Sequence, residues 1–382
     1  MASAKIRQPP SASSAIVTSI TPVSAARHAV RTNVLGMRKH DAPFWVAGLA
    51  AAVIACGGAG GDADAAIDAA IDAAIDAADV PGTDHTYVIS RMQVPANTSE
   101  VVSFAFDLDG LPNDGAGGVD NQLGNFFVMA AVVVPGFDLG IAVDRAVDDG
   151  NVLQLVNLKA TELQGAPIAS MTSYFGDRAT AVPQPCSDLN DQVCRHHLDG
   201  SGVFTLEAGA PTDARIDGPI TGGIFSGGPG SLAVRLSLGR GALVELRLHQ
   251  ARAELAATPS GLHVGSKLGG GIKHAELASR FYPAFQVAAA AAIARDCPPP
   301  GTPPGCNCVA GSPGQRLLVL LENSATTDCV ASLAEVTEIL DGLVPPDLDL
   351  FDASGAPGTD GTLDSVSVGL GVQAVAASFP VP

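Results

Sequence analysis

The 382-residue chain reads as an α+β fold: an antiparallel β-sheet or sandwich core flanked by a few helices and stapled by disulfides. Three observations lead there. Aromatics make up only 4% of residues while Gly and Pro number 43 and 27, so a core of small aliphatic side chains with many turns is expected. Leu232, Val234, Leu236 and Leu238 alternate with Ala233, Arg235, Ser237 and Gly239, and after Arg240-Gly241 the alternation resumes at Val244, Leu246 and Leu248. That pattern is a half-buried β-hairpin. Elsewhere apolar residues recur at spacings of three and four, the period of a buried helix face.

The elements follow in order. Folding is expected to begin near Asp84, with strands over 85–94 and 101–106. The apolar run 125–134 and the spacing of Leu139, Ala142, Val143, Ala146 and Val147 predict two short helices, the second over 139–148. Strands are expected over 152–163, 169–175 and 202–207 before the hairpin. His249 falls on the polar face of that hairpin and is expected in solvent. Strand signals continue through Ala253 and 262–265 to a Gly-rich turn at 269–271. A helix over 274–295 follows, with Leu277, Phe281, Phe285 and Ala288 on one face and Pro283 imposing a kink or a break. A Cys/Pro-rich loop over 296–314, an apolar stretch at 317–321, a helix over 332–342 and a last strand over 365–376 complete the fold.

Ahead of this domain lies an address. Residues 46–55 (VAGLAAAVIA) are apolar and uncharged, follow the basic Arg38, Lys39 and His40, and end at Cys56. A membrane-spanning helix needs roughly 20 residues, so a run this short suits the apolar core of a signal peptide. Val53-Ile54-Ala55-Cys56 resembles the lipobox of bacterial lipoproteins. The resemblance implies that residues 1–55 are a signal peptide, with Met37 as the true start, and that Cys56 is acylated and becomes the mature N-terminus. Gly rather than Asp at position 57 then implies the outer membrane of a Gram-negative cell, and the partner is the membrane, through an N-terminal lipid. Residues 56–83, with GGAGG and a D-A-A-I repeat carrying Ile67, Ile71 and Ile75, form a low-complexity tether. Residues 84–382 form a single globular domain.

Charge and cysteine usage agree with export. Without residues 1–55 the chain keeps 15 basic and 38 acidic residues, a net of −23, and such a surface repels nucleic acid and attracts cations. Setting Cys56 aside leaves Cys186, Cys194, Cys297, Cys306, Cys308 and Cys329, an even set suited to three bridges in an oxidising compartment. Cys186 and Cys194 close a short loop and are expected to pair. The other four admit three patterns, the 306–308 pairing being strained. Their spacing does not match the C-x₂₋₄-C pairs of structural zinc.

Acidic loops carry the remaining chemistry. Segment 107–121 (DLDGLPNDGAGGVDN) offers Asp107, Asp109, Asn113, Asp114, Asp120 and Asn121, and calcium wants six to eight such oxygens. It resembles the D-x-D-G-D-G-x-x-D loops of dockerin, thrombospondin type 3 and EF-hand-like sites, with the third Asp displaced by Leu111-Pro112-Asn113. Segment 347–364 offers Asp347, Asp349, Asp352, Asp360 and Asp364, and the pair reads as a degenerate internal repeat. The competing reading is that Asp, Gly and Pro simply make turns. A third stretch, 323–335, resembles a decayed EF-hand half with Asp328 and Glu335 as ligands, a disulfide at Cys329 standing in for the ion.

No G-x-S-x-G elbow, H-E-x-x-H pair, phosphate-binding G-x-x-x-x-G-K-[ST] loop or long heptad run is present, and no carboxylate pair is singled out. The leading expectation is a lipid-anchored exported protein of structural, adhesive or binding role, with calcium bracing its loops. A secreted hydrolase or carbohydrate-binding module on a β-sandwich is the alternative; Trp45 lies in the leader and only Tyr87, Tyr174 and Tyr282 remain to stack on a sugar. A carrier of hydrophobic molecules is a third, and an internal apolar cavity would be its signature. The protein or glycan partner is not readable from the sequence.

Overall fold

A computed structural model describes residues 80–111, 118–188, 191, 193–239, 242–299, 306–322 and 328–382. Cys56, the tether repeat and Asp114 lie outside the described residues. The fold is α+β, a mostly antiparallel sheet of 11 strands with a few helices, as the composition and periodicities predict.

The first element, β1 (Thr83–Gln93), matches expectation, but 101–106 is no strand: α1 (Thr98–Phe104) stands there. The reason is local. The Asn97 side chain accepts from the Glu100 N–H at 3.0 Å, and the Glu100 carboxylate accepts from the Ala96 N–H at 2.9 Å, a reciprocal cap that starts a helix despite two valines. The two expected helices are α2 (Gln122–Val133) and α3 (Leu139–Asp148), the former starting early because Asn121 caps it. Next come β2 (Gln154–Ala160), β3 (Gly165–Phe175), β4 (Gly202–Val203), β5 (Arg215–Thr221) and β6 (Ile224–Gly227); of the strand expected over 202–207 only β4 forms.

The hairpin is β7 (Ser231–Ser237) with β8 (Leu243–Thr258), Leu232 opposite Leu248 and Val234 opposite Leu246. Its turn residues Arg240 and Gly241 lie outside the described residues. After β9 (Gly261–Leu262), the glycines read as a turn prove to be the centre of β10 (Lys267–Lys273). A Cβ on Gly269 would sit 2.6 Å from the Val368 carbonyl, and one on Gly271 would sit 2.3 Å from Leu350 Cδ1, so glycine is there because other chain segments lie hard against the strand. The helix around Pro283 is continuous. It runs as α4 (His274–Glu276), a π turn (Leu277–Phe281) and α5 (Tyr282–Asp296), and the Tyr282 N–H reaches back to the Leu277 carbonyl. Widening that turn takes up the clash and missing donor that proline brings. The chain ends with α6 (Pro313–Leu321), α7 (Leu333–Leu343) and β11 (Ser365–Ser378).

The sheet closes on itself. Its order β1-β2-β3-β5-β6-β8-β10-β11 returns to β1, because β1 pairs with both β2 and β11. These eight strands form an antiparallel barrel, which removes the exposed edges of an open sheet. Bulges bend the wall at Ser90 in β1, at Pro167-Ile168 in β3 and at Gln250 (φ 50°) in β8. Register sets Leu158, Met171 and Ile216 in one row, Phe225 with Leu255 in another, and Leu268 with Leu370 in a third, all buried. Strand β7 joins the wall on its second edge through side chains: Ser173 Oγ and Gln154 Nε2 both donate to the Ala233 carbonyl at 3.0 Å.

Helices cover one side of the barrel. Packing joins α3 to β1 and β7, α2 to β11, and α5 to α6 and α7. Phe126, Phe127, Phe281 and Phe285 meet at centroid distances of 5.7–6.4 Å. Cys186 bonds to Cys194 as expected, and the open foursome resolves as Cys297–Cys308 and Cys306–Cys329. Among the described residues all six cysteine sulfurs are paired, which leaves none of them for zinc.

Candidate metal centre

The first acidic loop leaves α1 at Ala105 and is pinned by an antiparallel bridge between Phe106 and Asp120, whose N–H donates to the Phe106 carbonyl at 2.8 Å. Within it the D-L-D alternation sends Leu108 inward and its two aspartates outward. The buried Asp120 carboxylate accepts from the Leu108 N–H at 2.6 Å, Asp107 accepts from Gly110 at 2.7 Å and Asp109 from Leu111 at 2.8 Å. These turns bring one carboxylate oxygen each from Asp107, Asp109 and Asp120 within 4.8 Å of one another.

The second loop enters the same neighbourhood through its first residue. Asp347 accepts from the Ser367 N–H at 2.8 Å and from the Ser367 hydroxyl, which itself accepts from the Gln122 N–H at 2.7 Å. Burial pushes the Asp347 carboxyl up to about 6, its bonds to Ser367 oppose that rise, and the negative charge of Asp109 adds to it. Phe106, Leu108, Leu348, Leu350 and Phe351 form a separate small core that glues the two loops together. Two lysines cover it: Lys267 Nζ lies 4.3 Å from the centre of the Phe106 ring, and Lys273 Nζ lies 3.7 Å from that of Phe351. His249, expected in solvent, is half-buried with its ring edge-on to Phe351 at 4.9 Å.

Other predicted ligands go elsewhere. Asn121 is buried; its amide oxygen accepts from Gly124 and Gly369 N–H, and its amide nitrogen donates to the carbonyls of Val101 and Gly369. It caps α2 and clamps β11. Asp349 accepts from the N–H groups of Asp360 and Gly361, and Asp352 from those of Ser354 and Ala356. Asp360 accepts from Thr362 and Asp364 from Phe351. Asp352 and Asp360 close local turns, the ordinary work of Asp in loops, while Asp349 and Asp364 tie the two ends of the loop to each other. Asp328 accepts from Val330, and Glu335 completes a capping box with Ser332 at the start of α7. Among the described residues the other grouping of potential ligands, Asp149 with Cys186 and Cys194, has its sulfurs tied in a disulfide.

The sequence places Asp347 in the second loop, and its association with the first appears only in the fold. The shared D-L-D-x pattern at 107–110 and 347–350 was the available signal, since alternating Leu implies a common apolar base. All three tyrosines are buried, so none offers a platform for a sugar. Comparison with protein-family models, curated proteins and solved structures finds no match to this chain.

Proposed function

We propose that this chain is an exported protein tethered by lipid at Cys56, with a structural or adhesive role: a barrel domain whose paired acidic loops are braced by calcium. The observation that carries the calcium reading is the convergence of Asp107, Asp109 and Asp120 within 4.8 Å, with the negative charge of Asp109 also felt by Asp347. Like charges at that spacing repel one another, and a hard divalent cation with oxygen ligands relieves the repulsion. Export is supported by the lipobox-like VIAC and by an even set of cysteines outside it, all bridged. The outer membrane follows from Gly57, by resemblance to lipoprotein sorting.

Two measurements test this. Intact-mass analysis of membrane-derived protein is expected to give a chain beginning at an acylated Cys56; an unacylated chain retaining residues 1–55 overturns the anchor. Calcium is expected to raise the melting temperature and EDTA to reverse the rise, with about 2.7 kcal/mol gained at a hundredfold excess over Kd. Asp109→Asn is expected to abolish that response. A wild-type melting temperature indifferent to both calcium and EDTA removes calcium from the reading.

A further inference from the structure

Between α2, α5, α6 and α7 lies a partly enclosed cavity of about 150 Å³, and no polar surface lines it. Phe126, Phe137, Phe285, Leu317, Leu321 and Ile339 form most of its wall. Phe285 stands edge-on to both Phe126 and Phe137, each at 5.7 Å between centroids. Of the lining side chains Val133 is exposed and Met129, Phe137, Leu320, Ile339 and Leu343 are half-buried. This cavity is in the helical layer, outside the barrel wall, and it shares no residue with the acidic loops.

Two features argue that it is built rather than left over. The surrounding helices are cross-linked near their ends: Cys297, at the end of α5, is bonded to Cys308 ahead of α6, and Cys306 is bonded to Cys329 ahead of α7. Water is a poor occupant, because a buried water needs two to four polar partners and this wall supplies none. A dry cavity of about 150 Å³ lined by Leu, Ile and Phe has the size and surface that take up a benzene-sized guest.

We propose that this cavity is a binding site for a small uncharged hydrocarbon, a single aromatic ring. A hydroxyl on the guest would be buried without a partner, and a carboxylate would be buried unpaired, so both are discriminated against. The site is independent of calcium and of the lipid anchor.

The test uses the full chain and three probes of one shape. Benzene at saturation is expected to raise the melting temperature by about 2 °C or more, phenol to bind at least about tenfold more weakly, and benzoate to have no effect. Leu320→Trp adds bulk at a half-buried position of the lining and is expected to abolish the benzene shift. Ala130→Leu narrows the cavity from its inner wall and serves if the first variant does not melt cooperatively. No shift with benzene, an equal shift with benzoate, or a shift that survives in a folded cavity-filled variant overturns the proposal.

Discussion

Asp347 shows how one side chain can be poised by its surroundings. Its folded pKa, near 6, lies above the ordinary carboxylate value of 3.8, so the fold prefers the protonated form. The contribution is therefore favourable below about pH 4 and is lost as pH rises through 6. His197 and His249 act in the opposite sense: burial lowers both to about 4 from 6.5, so their neutral forms stabilise the fold above pH 6.5 and that stability is lost as pH falls towards 4. In calcium-free buffer, Asp347→Asn is expected to stabilise the protein at pH 7 by an amount on the order of 1–3 kcal/mol, and the gain should vanish at pH 4. Urea unfolding at the two pH values measures it, and an identical offset at both would contradict the assignment. The acid side of the wild-type profile should still fall, because His197, fully buried against Phe204, must take up a proton.

At the scale of elements, glycines on β10 and β11 decide whether the acidic loops can seat. A Cβ on Gly369 would lie 2.4 Å from the Phe104 carbonyl and 3.0 Å from the Asn121 amide nitrogen, so α1 and the cap of α2 rest directly on the strand backbone. Gly369→Ala is expected to cost about 1–3 kcal/mol by overpacking and to weaken any calcium response, since it displaces the stem of the first loop. Gly342 supplies the control. It is exposed in α7, with open space where a Cβ would go, and Gly342→Ala is expected to be neutral or to stabilise by up to about 1 kcal/mol. Denaturation midpoints of the two variants separate the effects; equal outcomes would refute the close-approach explanation. The same packing explains two misread segments. Residues 101–106 carry strand-like valines, yet a two-residue capping exchange at Asn97 and Glu100 makes a helix. Residues 269–271 carry turn-like glycines, yet they are strand because they pair with β8 and β11, and they are glycine because Leu350 and the Val368 carbonyl occupy the space a side chain would need. In contrast, α3 and the β7–β8 hairpin were legible because their signals are periodic and local.

For the whole molecule, closure and cross-linking dominate. The barrel is sealed by β1 and β11, and Thr86 donates to the carbonyl of Ala377 across 291 residues of sequence. Bridges add to this by restricting the unfolded chain, and the benefit grows slowly with loop length. Cys306–Cys329 spans 23 residues and Cys186–Cys194 spans 8, so replacing the first pair with serine is expected to cost about 1 kcal/mol more than replacing the second. Urea titration of the two double variants tests the ordering, and a reversed order would mean that native packing outweighs chain entropy at these sites.

By itself the sequence determined what local chemistry can specify: the α+β class, the helix and hairpin periodicities, the short-loop disulfide, the acidity and the D-L-D loops. Only the tertiary structure decided that the sheet closes, how the four remaining cysteines pair, that Asp107, Asp109 and Asp120 converge with Asp347 in the field of Asp109, and that the helices partly enclose an apolar cavity. The division has one physical cause. Caps, turns and periodic burial are settled within a few residues, whereas closure, pairing and convergence depend on which distant segments share a surface, and no local pattern encodes that choice.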